Sequence, residues 1–380
     1  MGTSKIQHAY DNVNWLELNR ATYSTRSTDS SLTFVKTKMA SISVIIPCFN
    51  EEKHICKCLD SILSADRYYD SIEILIIDGC SHDKTLQQIE PYIKKYSYIR
   101  TIHNPNRTLA SGWNLGVAES KGTIIFAMNA HAEIRRSYFH ALITGMNKHK
   151  ADCIGPLILT RPQEKTFFGE LVATAISHPF GVGNSKFRTG CKIPMRVDSV
   201  HMAAYRKDVF TRFGGFNEQL IRSQDLEFNL RLAQRGGKIY LLPEILAEYF
   251  TRVDPRRFIQ DTFRNGYWAT KPYAYGCWVA RFRHLVPMFF VLGLLVTGLA
   301  SFVVQAFTHL FLMGFLSYLT GLFCVALSIA ITKKKAEYLP GMVCIFVAIH
   351  IPYGCGSILG FLSSLKSDLF WRSLGSQINH

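Results

Sequence analysis

Residues 42–51 read ISVIIPCFNE and residues 72–85 read IEILIIDGCSHDKT. Each stretch begins with an almost continuous apolar run, which is typical of a parallel strand buried on both faces. Helical spacing over residues 51–63 separates the two runs. The alternation then continues with a helix, a strand, a helix and a strand over residues 83–96, 99–102, 109–119 and 123–128. This alternation of strands and helices predicts an α/β domain with a parallel sheet covered by helices on both faces.

Polar residues follow each of the predicted strands. In parallel sheets of this kind, ligands bind in the crevice beyond the carboxyl ends of the strands. These positions hold Asn50, Glu51, Asp78, His103, Asn104, Asn129 and His131. A small-molecule site is therefore expected along this edge. Farther along, the glycine-rich residues 178–190 are expected to form a mobile loop, and residues 223–234 a helix that ends at Gly236.

Toward its end the chain becomes strongly apolar. Residues 285–332 are 48 consecutive residues without Asp, Glu, Lys or Arg, whereas one membrane-crossing helix needs about 20 apolar residues. Two spans are predicted, with the turn at the most polar point, residues 305–309. A third uncharged stretch, residues 340–365, is interrupted by Pro352, Gly354 and Gly356. It predicts either a kinked span or a re-entrant hairpin.

The positions of the positively charged residues predict on which side of the membrane the connecting segments lie. Lys333, Lys334 and Lys335 separate the second and third apolar stretches, and the positive-inside rule makes that loop cytoplasmic. The chain before residue 285 is then cytoplasmic too, which predicts a multi-pass protein of the cell (inner) membrane. Three spans would leave the C-terminal tail outside, and a re-entrant third segment would return it inside.

Composition and the apolar blocks exclude three broad classes of protein. The chain has 43 Lys+Arg against 28 Asp+Glu, a formal net charge of +15, and 48% hydrophobic residues, which is too apolar for a disordered protein. Its ten cysteines lack the paired spacings of a secreted disulfide scaffold. With the apolar blocks, these counts exclude a wholly soluble protein as well as a disulfide-built one.

Five short motifs occur in order along the chain. They are PCFNE, IIDGCSHDKT, NPNR, NAH and QDLEFNLR at residues 47–51, 76–85, 104–107, 129–131 and 224–231. Their order and spacing resemble family 2 glycosyltransferases of the GT-A fold, and among these the bacterial succinoglycan-type exopolysaccharide glucosyltransferases. The resemblance covers residue 41 to about residue 295. It implies a Rossmann-like GT-A domain that binds a nucleotide-sugar, followed by C-terminal transmembrane helices.

The resemblance also implies which residues bind a UDP-sugar donor. Asp78 is expected to accept a hydrogen bond from the uracil N3–H, and Arg107 to make a charge-assisted contact with a phosphate. The alternative for Asp78 is a turn or helix-capping role, and for Arg107 a plain surface position. The remaining donor-binding candidates are Pro47, Phe49, Glu51, Asn129 and His131.

The metal motif departs from the family pattern. Family members carry Asp-x-Asp or Asp-Ala-His, whereas this chain has Asn129-Ala130-His131. An amide oxygen lacks the charge that Mg²⁺ prefers, and His131 suits Mn²⁺ better than Mg²⁺. Weak binding of Mn²⁺ or Mg²⁺, metal-independent binding of the diphosphate and loss of activity are all compatible with this sequence.

Asp225 is the candidate catalytic base. Inverting glycosyl transfer needs one group to take the proton of the acceptor hydroxyl, and the family's catalytic aspartate matches Asp225. The alternative is an acidic residue favoured by the helix dipole. Gln224 and Arg231 on the same helix are candidates for acceptor binding, although Arg231 is also expected to pair with Glu227.

A basic segment precedes the first apolar block. Residues 252–283 hold seven basic and two acidic residues, and residues 255–270 form an amphipathic helix when drawn on a wheel. This pattern predicts a helix in the membrane interface, with packing on the domain core as the alternative. Arg257 and Arg264 are expected to bind the phosphates of a lipid-linked acceptor. Nucleic acid is not an expected partner, because no recognition motif accompanies the charge.

Five regions follow from these boundaries: a polar tail (1–40), a cytoplasmic GT-A domain (41–250), a basic juxtamembrane segment (251–284), a membrane region (285–365) and a C-terminal tail (366–380). The predicted function is transfer of a sugar, glucose by resemblance, from a UDP-sugar to a polyprenyl-diphosphate-linked or other lipid-linked glycan. The alternatives are a polyprenyl-phosphate sugar synthase and a non-catalytic subunit of a polysaccharide assembly complex.

Overall fold

The structure is a computed structural model that describes residues 40–251 and 254–378, with the backbone alone over 375–378. The predicted polar tail lies outside the described residues except for Ala40. Arg252 of the basic segment also lies outside them.

The described residues form one nine-stranded sheet. The strands are β1 (Ser41–Cys48), β2 (Ser71–Asp78), β3 (Ile99–His103), β4 (Ile124–Ala127), β5 (Ala132–Ile134), β6 (Cys153–Pro162), β7 (Met195–Arg196), β8 (Ala204–Arg206) and β9 (Ile239–Thr251). Their spatial order is β3-β2-β1-β4-β8-β6-β9-β5, and β7 pairs with β9. β1 to β4 are parallel, and β8 runs antiparallel between β4 and β6. The α/β prediction is confirmed, with antiparallel strands in the second half that the sequence did not predict.

Helices cover the sheet in the order that the sequence predicts for the first half. They are α1 (Ile55–Leu63), α2 (Thr85–Lys95), α3 (Leu109–Glu119), α4 (Tyr138–Lys148), α5 (Phe167–Ala175), α6 (Pro179–Val182), α7 (Lys186–Thr189), α8 (Asp208–Phe213) and α9 (Gln224–Gln234). The prediction of a mobile loop over residues 178–190 is wrong. His178 caps α6 by accepting the N–H of Phe180 at 3.1 Å, and α7 follows.

The strands have buried side chains on both faces because successive residues point in opposite directions. Val44 and Ile46 pack with α1 and α4 on one side. Ile45 and Ile77 pack with Trp113 of α3 and Phe228 of α9 on the other. The two cores leave the carboxyl ends of the strands as the open edge of the sheet.

The rest of the described chain is helical. A long amphipathic helix and a 3-10 helix lead into three apolar helices and a final short one: α10 (Pro255–Thr270), the 3-10 helix (Lys271–Tyr275), α11 (Phe282–Ala300), α12 (Gln305–Lys333), α13 (Tyr338–Ser364) and α14 (Asp368–Ile378). Helices α11, α12 and α13 are long and apolar enough to cross a membrane. The turn between α11 and α12 consists of residues 301–304. It lies just before the predicted position, residues 305–309. The protein is therefore membrane-associated, as predicted.

The third apolar segment is one continuous helix and not a hairpin, although it contains Pro352. Its glycines allow close approach of neighbouring backbones. A Cβ at Gly356 would overlap the carbonyl oxygen of Phe263 in α10, and one at Gly360 would overlap that of Tyr267. Helix α13 thus covers part of the apolar half of α10.

Both ends of α13 contact the part of the protein that carries the sheet. At its start, the Tyr338 hydroxyl donates to Glu170 of α5 at 2.8 Å. At its end, the Ser364 hydroxyl donates to the carbonyl of Thr270 at 3.2 Å, and α10 in turn is tied to the sheet domain by the Arg222–Asp261 ion pair at 2.7 Å. Helix α13 therefore lies along the sheet domain instead of leading away from it.

Candidate active site

A cavity of about 980 Å³ joins the open edge of the sheet to the apolar helices. At the sheet end it is lined by Glu51, Asn129, His131, Arg188, His201 and Tyr249. At the other end it is lined by Phe290 of α11, Tyr318 of α12 and Ile349, His350 and Tyr353 of α13. One cavity therefore has a polar end at the expected ligand edge and an apolar end among the membrane helices.

Two of the predicted donor-binding residues, Phe49 and Arg107, lie close to Gly79, directly after β2. A Cβ at Gly79 would lie 3.7 Å from both the Arg107 Cα and the Phe49 Cβ. Phe49 is 47% exposed, and its ring meets His82 edge-on at 5.2 Å between centroids. An exposed aromatic ring beside a cationic residue forms a rim on which a base can stack.

Asp78 is buried at the end of β2. Its carboxylate accepts the backbone N–H groups of Cys80 at 3.1 Å and of Ser81 at 3.2 Å. This geometry is the turn role that the sequence left open as an alternative. A contact between Asp78 and a uracil stays a prediction. Pro47, on the neighbouring strand, packs near Gly112 of α3, where a Cβ would lie 3.2 Å from the Pro47 Cβ.

Glu51 and His131 meet at the polar end of the cavity. The Glu51 Oε1 lies 3.2 Å from the His131 Nδ1, although 80 residues separate them in sequence. β1 and β4 are adjacent and parallel, so the segments that follow them meet at one edge. The backbone N–H of Glu51 donates to Thr85 Oγ1 at 2.8 Å, which fixes the residue to the start of α2.

A hydrogen-bonded chain links Asn129 to Asp225 through His201. The Asn129 Nδ2 lies 3.1 Å from the His201 Nε2, and the His201 Nδ1 lies 3.1 Å from the Asp225 Oδ2. An amide N–H that donates to Nε2 leaves the proton of a neutral imidazole on Nδ1, where it donates to the carboxylate. The three side chains therefore form a continuous polar path from the end of β4 to α9.

The environment of Asp225 keeps the carboxylate ionised. Burial raises the pKa of Asp225, but hydrogen bonds from His201 and from the backbone N–H of Leu226 outweigh burial and hold that pKa below its usual value. The side chain is still 29% exposed. Asp225 thus has the charge that a general base requires. It does not itself line the cavity, whereas His201, its hydrogen-bond partner, does.

The start of α9 is held in an unusual conformation. Ser223, the residue before the helix, has a φ of 64°, which is rare for a residue other than glycine. Its hydroxyl donates to the carbonyl of Trp268 in α10 at 3.1 Å. Gln224 is buried, and its Oε1 has no partner among the described residues. The juxtamembrane helix therefore helps to position the turn that carries Asp225.

The predicted acceptor arginines do not line the cavity. Arg231 forms the predicted pair with Glu227, at 2.7 and 2.9 Å. It also donates to the carbonyls of Phe213, the last residue of α8, and of Gly215. The side chain of Arg264 is 62% exposed, and Arg257 is exposed on the same helix. Their role toward an acceptor stays a prediction.

Other basic residues line the cavity instead. Arg222 pairs with Asp261 of α10 at 2.7 Å, and Arg283 pairs with Asp198 at 3.5 Å. The third is Arg188 of α7, whose guanidinium lies 5.3 Å from the centre of the Tyr249 ring. The rings of His131 and His201 also contact Tyr249, with centroids 5.6 and 6.1 Å away. We call Tyr249, His131, His201 and Arg188 the Tyr249 cluster.

The donor set does not fit a divalent cation. Among the described residues, no group of three or more His, Cys, Asp and Glu side chains is arranged to hold a metal ion. His131 and Glu51 are hydrogen-bonded to each other, and Asn129 is bonded to His201. Hard cations prefer several charged oxygen ligands, whereas the residues named above at the polar end of the cavity include one carboxylate, Glu51, which is already paired with His131.

Comparison with known proteins identifies the family. Residues 43–214 match glycosyl transferase family 2. The chain is 30% identical over 272 residues to a dolichyl N-acetyl-α-D-glucosaminyl phosphate 3-β-D-2,3-diacetamido-2,3-dideoxy-β-D-glucuronosyltransferase of Methanococcus voltae, an alignment that covers 69% of this chain and 83% of that one. The chain belongs to the family 2 glycosyltransferases, as the motifs predict.

More distant relatives are also similar. The succinoglycan biosynthesis protein ExoA of Rhizobium meliloti is 24% identical over 55% of this chain and 63% of its own length. Among solved structures, residues 1–349 of Staphylococcus aureus TarS in complex with UDP-GlcNAc align with a TM-score of 0.47 and 14% identity, covering 85% of this chain and 90% of that one.

Proposed function

We propose that the protein is a membrane-anchored, inverting glycosyltransferase. It transfers a sugar, glucose by resemblance, from a UDP-sugar to a polyprenyl-diphosphate-linked or other lipid-linked glycan, and its catalytic domain faces the cytoplasm. The observation that carries this proposal is the single cavity with the Tyr249 cluster at one end and the side chains of α11, α12 and α13 at the other. The name of the Methanococcus voltae relative describes a transferase whose acceptor is lipid-linked, which supports the same acceptor class here.

In the proposed reaction, Asp225 takes the proton of the acceptor hydroxyl. The acceptor oxygen attacks the anomeric carbon while the bond from that carbon to the β-phosphate oxygen breaks, and UDP leaves with the electron pair. One direct displacement inverts the anomeric configuration and needs no covalent enzyme intermediate. His201 holds the carboxylate in place and keeps it ionised through the 3.1 Å hydrogen bond. General base catalysis of this kind contributes about 10² to 10⁴ in rate.

The apolar end of the cavity suits the lipid of the acceptor. Phe290, Tyr318 and Ile349 come from three different apolar helices, so a polyprenyl chain in the membrane reaches the cavity between them. Arg222 and Arg283 line the same cavity, and in this proposal they bind the phosphates of the lipid-linked glycan. Each is partly neutralised by an aspartate, which limits the cost of keeping the cation there when no acceptor is bound.

A donor screen tests this proposal. Membranes that contain the protein are incubated in parallel with radiolabelled UDP-glucose, UDP-galactose, UDP-N-acetylglucosamine and UDP-glucuronic acid, and the lipid fraction is then extracted. The expected result is that one label enters the lipid fraction, with inversion at the anomeric carbon of the product. Incorporation of every label into water-soluble products alone would contradict the lipid-linked acceptor.

A further inference from the structure

Arg188 stands apart from the other cavity arginines because it lacks a carboxylate partner. Among the described residues, its contacts are a hydrogen bond to Thr160 Oγ1 at 3.3 Å and the faces of two aromatic rings, Phe187 and Tyr249, at 5.6 and 5.3 Å. Arg222 and Arg283, by contrast, are paired with aspartates. A partly buried guanidinium without a counterion is costly, so its presence in a cavity wall calls for an anionic partner.

The position of Arg188 is next to the residues that replace the family's metal motif. His131 belongs to that motif, and its ring and the Arg188 guanidinium both contact the ring of Tyr249. Asn129 and Glu51 are engaged by His201 and His131. The polar end of the cavity therefore has one unpaired fixed cation at the place where a divalent metal does not fit.

From this arrangement we infer that Arg188 takes the place of a divalent metal and binds the diphosphate of the donor. This inference rests on the proposed function, since it assumes a UDP-sugar donor. During transfer the bond between the anomeric carbon and the β-phosphate oxygen breaks, and UDP gains one negative charge. The guanidinium meets that charge with forked N–H donors, which match phosphate geometry. Tyr249 and Phe187 support the planar group by stacking.

A guanidinium suits this role because it remains charged. Burial lowers the pKa of Arg188, and the negative charge of Asp225 acts in the opposite direction. An arginine stays protonated in proteins even so. A bound metal ion needs carboxylate ligands, whereas a guanidinium does not. An arginine in this role is therefore compatible with an asparagine at position 129.

The test measures the affinity of the purified full-length protein for UDP by calorimetry, in excess EDTA and in millimolar Mn²⁺. For the wild type, the UDP affinity in EDTA and the UDP affinity in Mn²⁺ are expected to agree within about threefold. This corresponds to a difference in binding free energy of less than about 0.7 kcal/mol. Arg188→Gln is expected to weaken UDP binding about tenfold to a hundredfold, the range for a lost charge-assisted hydrogen bond. Arg188→Lys keeps the charge and loses the fork, so its affinity is expected to be intermediate.

A matched control comes from the same short helix. Lys186 lies two residues before Arg188 and does not line the cavity. Lys186→Gln removes the same charge and is expected to change UDP affinity less than about twofold, as for a charge that lies outside the site. A wild type that loses its UDP affinity in EDTA, or an Arg188→Gln variant that binds like the wild type, would overturn the inference and leave the proposed function standing. If UDP does not bind under any condition, the proposed function fails and the inference with it.

Discussion

The His201 Nδ1 lies 3.1 Å from the Asp225 Oδ2, and the same imidazole contacts Asn129 through its other nitrogen. The residue that replaces the first carboxylate of the family's metal motif is therefore connected to the candidate base. An aspartate at position 129 would put His201 between two carboxylates. The amide N–H of an asparagine can instead donate to Nε2, which directs the Nδ1–H to Asp225.

Replacement of the base tests the mechanism directly. Asp225→Asn keeps the size of the side chain and removes its ability to accept a proton. We expect the turnover number to fall by about 10² to 10⁴, measured as transfer of labelled sugar to the lipid fraction, while UDP affinity stays near that of the wild type. Near-full turnover would favour a polyprenyl-phosphate sugar synthase, since a phosphate acceptor is already ionised and needs no base.

The pH dependence of activity tests the role of His201. The hydrogen bond from His201 helps to hold the pKa of Asp225 below its usual value, so the base stays ionised as the pH falls. In His201→Ala that donor is gone while burial remains, and burial raises the pKa of a carboxyl. The acid limb of the kcat/KM profile is then expected to move to higher pH.

His201→Gln is the matched control for this experiment. Its amide N–H restores a donor to Asp225, so its acid limb is expected to lie between those of the wild type and His201→Ala. If both variants lose activity equally at every pH, His201 acts on the fold and not on the base.

The packing of α10 on α13 gives a stability prediction. A Cβ at Gly356 would overlap the carbonyl oxygen of Phe263, and a backbone atom cannot move aside as a side chain can. Gly356→Ala is therefore expected to lower the free energy of unfolding by about 1 to 3 kcal/mol, measured by thermal unfolding in detergent. Gly321→Ala in α12 is the control, because nothing lies within 4 Å of a Cβ there. Equal melting temperatures for the two variants would contradict the packing.

The position of α13 predicts the sidedness of the C-terminal tail. Its first and last turns contact Glu170 and Thr270, so the helix starts and ends beside the sheet domain. We expect the tail to lie on the same side of the membrane as the sheet. A reporter fused after residue 380 and one inserted at Ile193, which is 71% exposed, should respond alike in a protease-protection assay. If the protease cleaved only one of the two reporters, α13 would cross the membrane.

The sequence predicts the first half of the fold well because local patterns determine it there. The apolar runs of β1 and β2 lie close to their predicted positions, and α10 has both of its predicted bounds. Asp225 could be proposed as the candidate base because it lies in a motif at the start of a helix. The antiparallel β8 could not, since Ala204–Arg206 is three residues long and depends on its neighbours for pairing.

The cavity residues were missed for a related reason. His201 lies in an irregular segment between two short strands, and nothing in its local sequence indicates contact with Asp225, 24 residues away. Arg188 lies in a glycine-rich stretch that the sequence describes as a loop. Helical periodicity places Arg257 and Arg264 on the polar half of α10, but it does not show which part of that half faces the cavity.

The central claim is that the acceptor reaches the catalytic residues through the apolar end of the cavity. Val286 of α11 lines this cavity and is 47% exposed, whereas Val296 on the same helix is 53% exposed and does not line it. The measurement compares the rate of sugar transfer from UDP-sugar to the lipid fraction in Val286→Trp and Val296→Trp, at equal UDP binding. We predict a drop of about tenfold or more in Val286→Trp, equivalent to about 1.4 kcal/mol of acceptor binding, and little change in Val296→Trp. Equal transfer rates in the two variants would contradict the account.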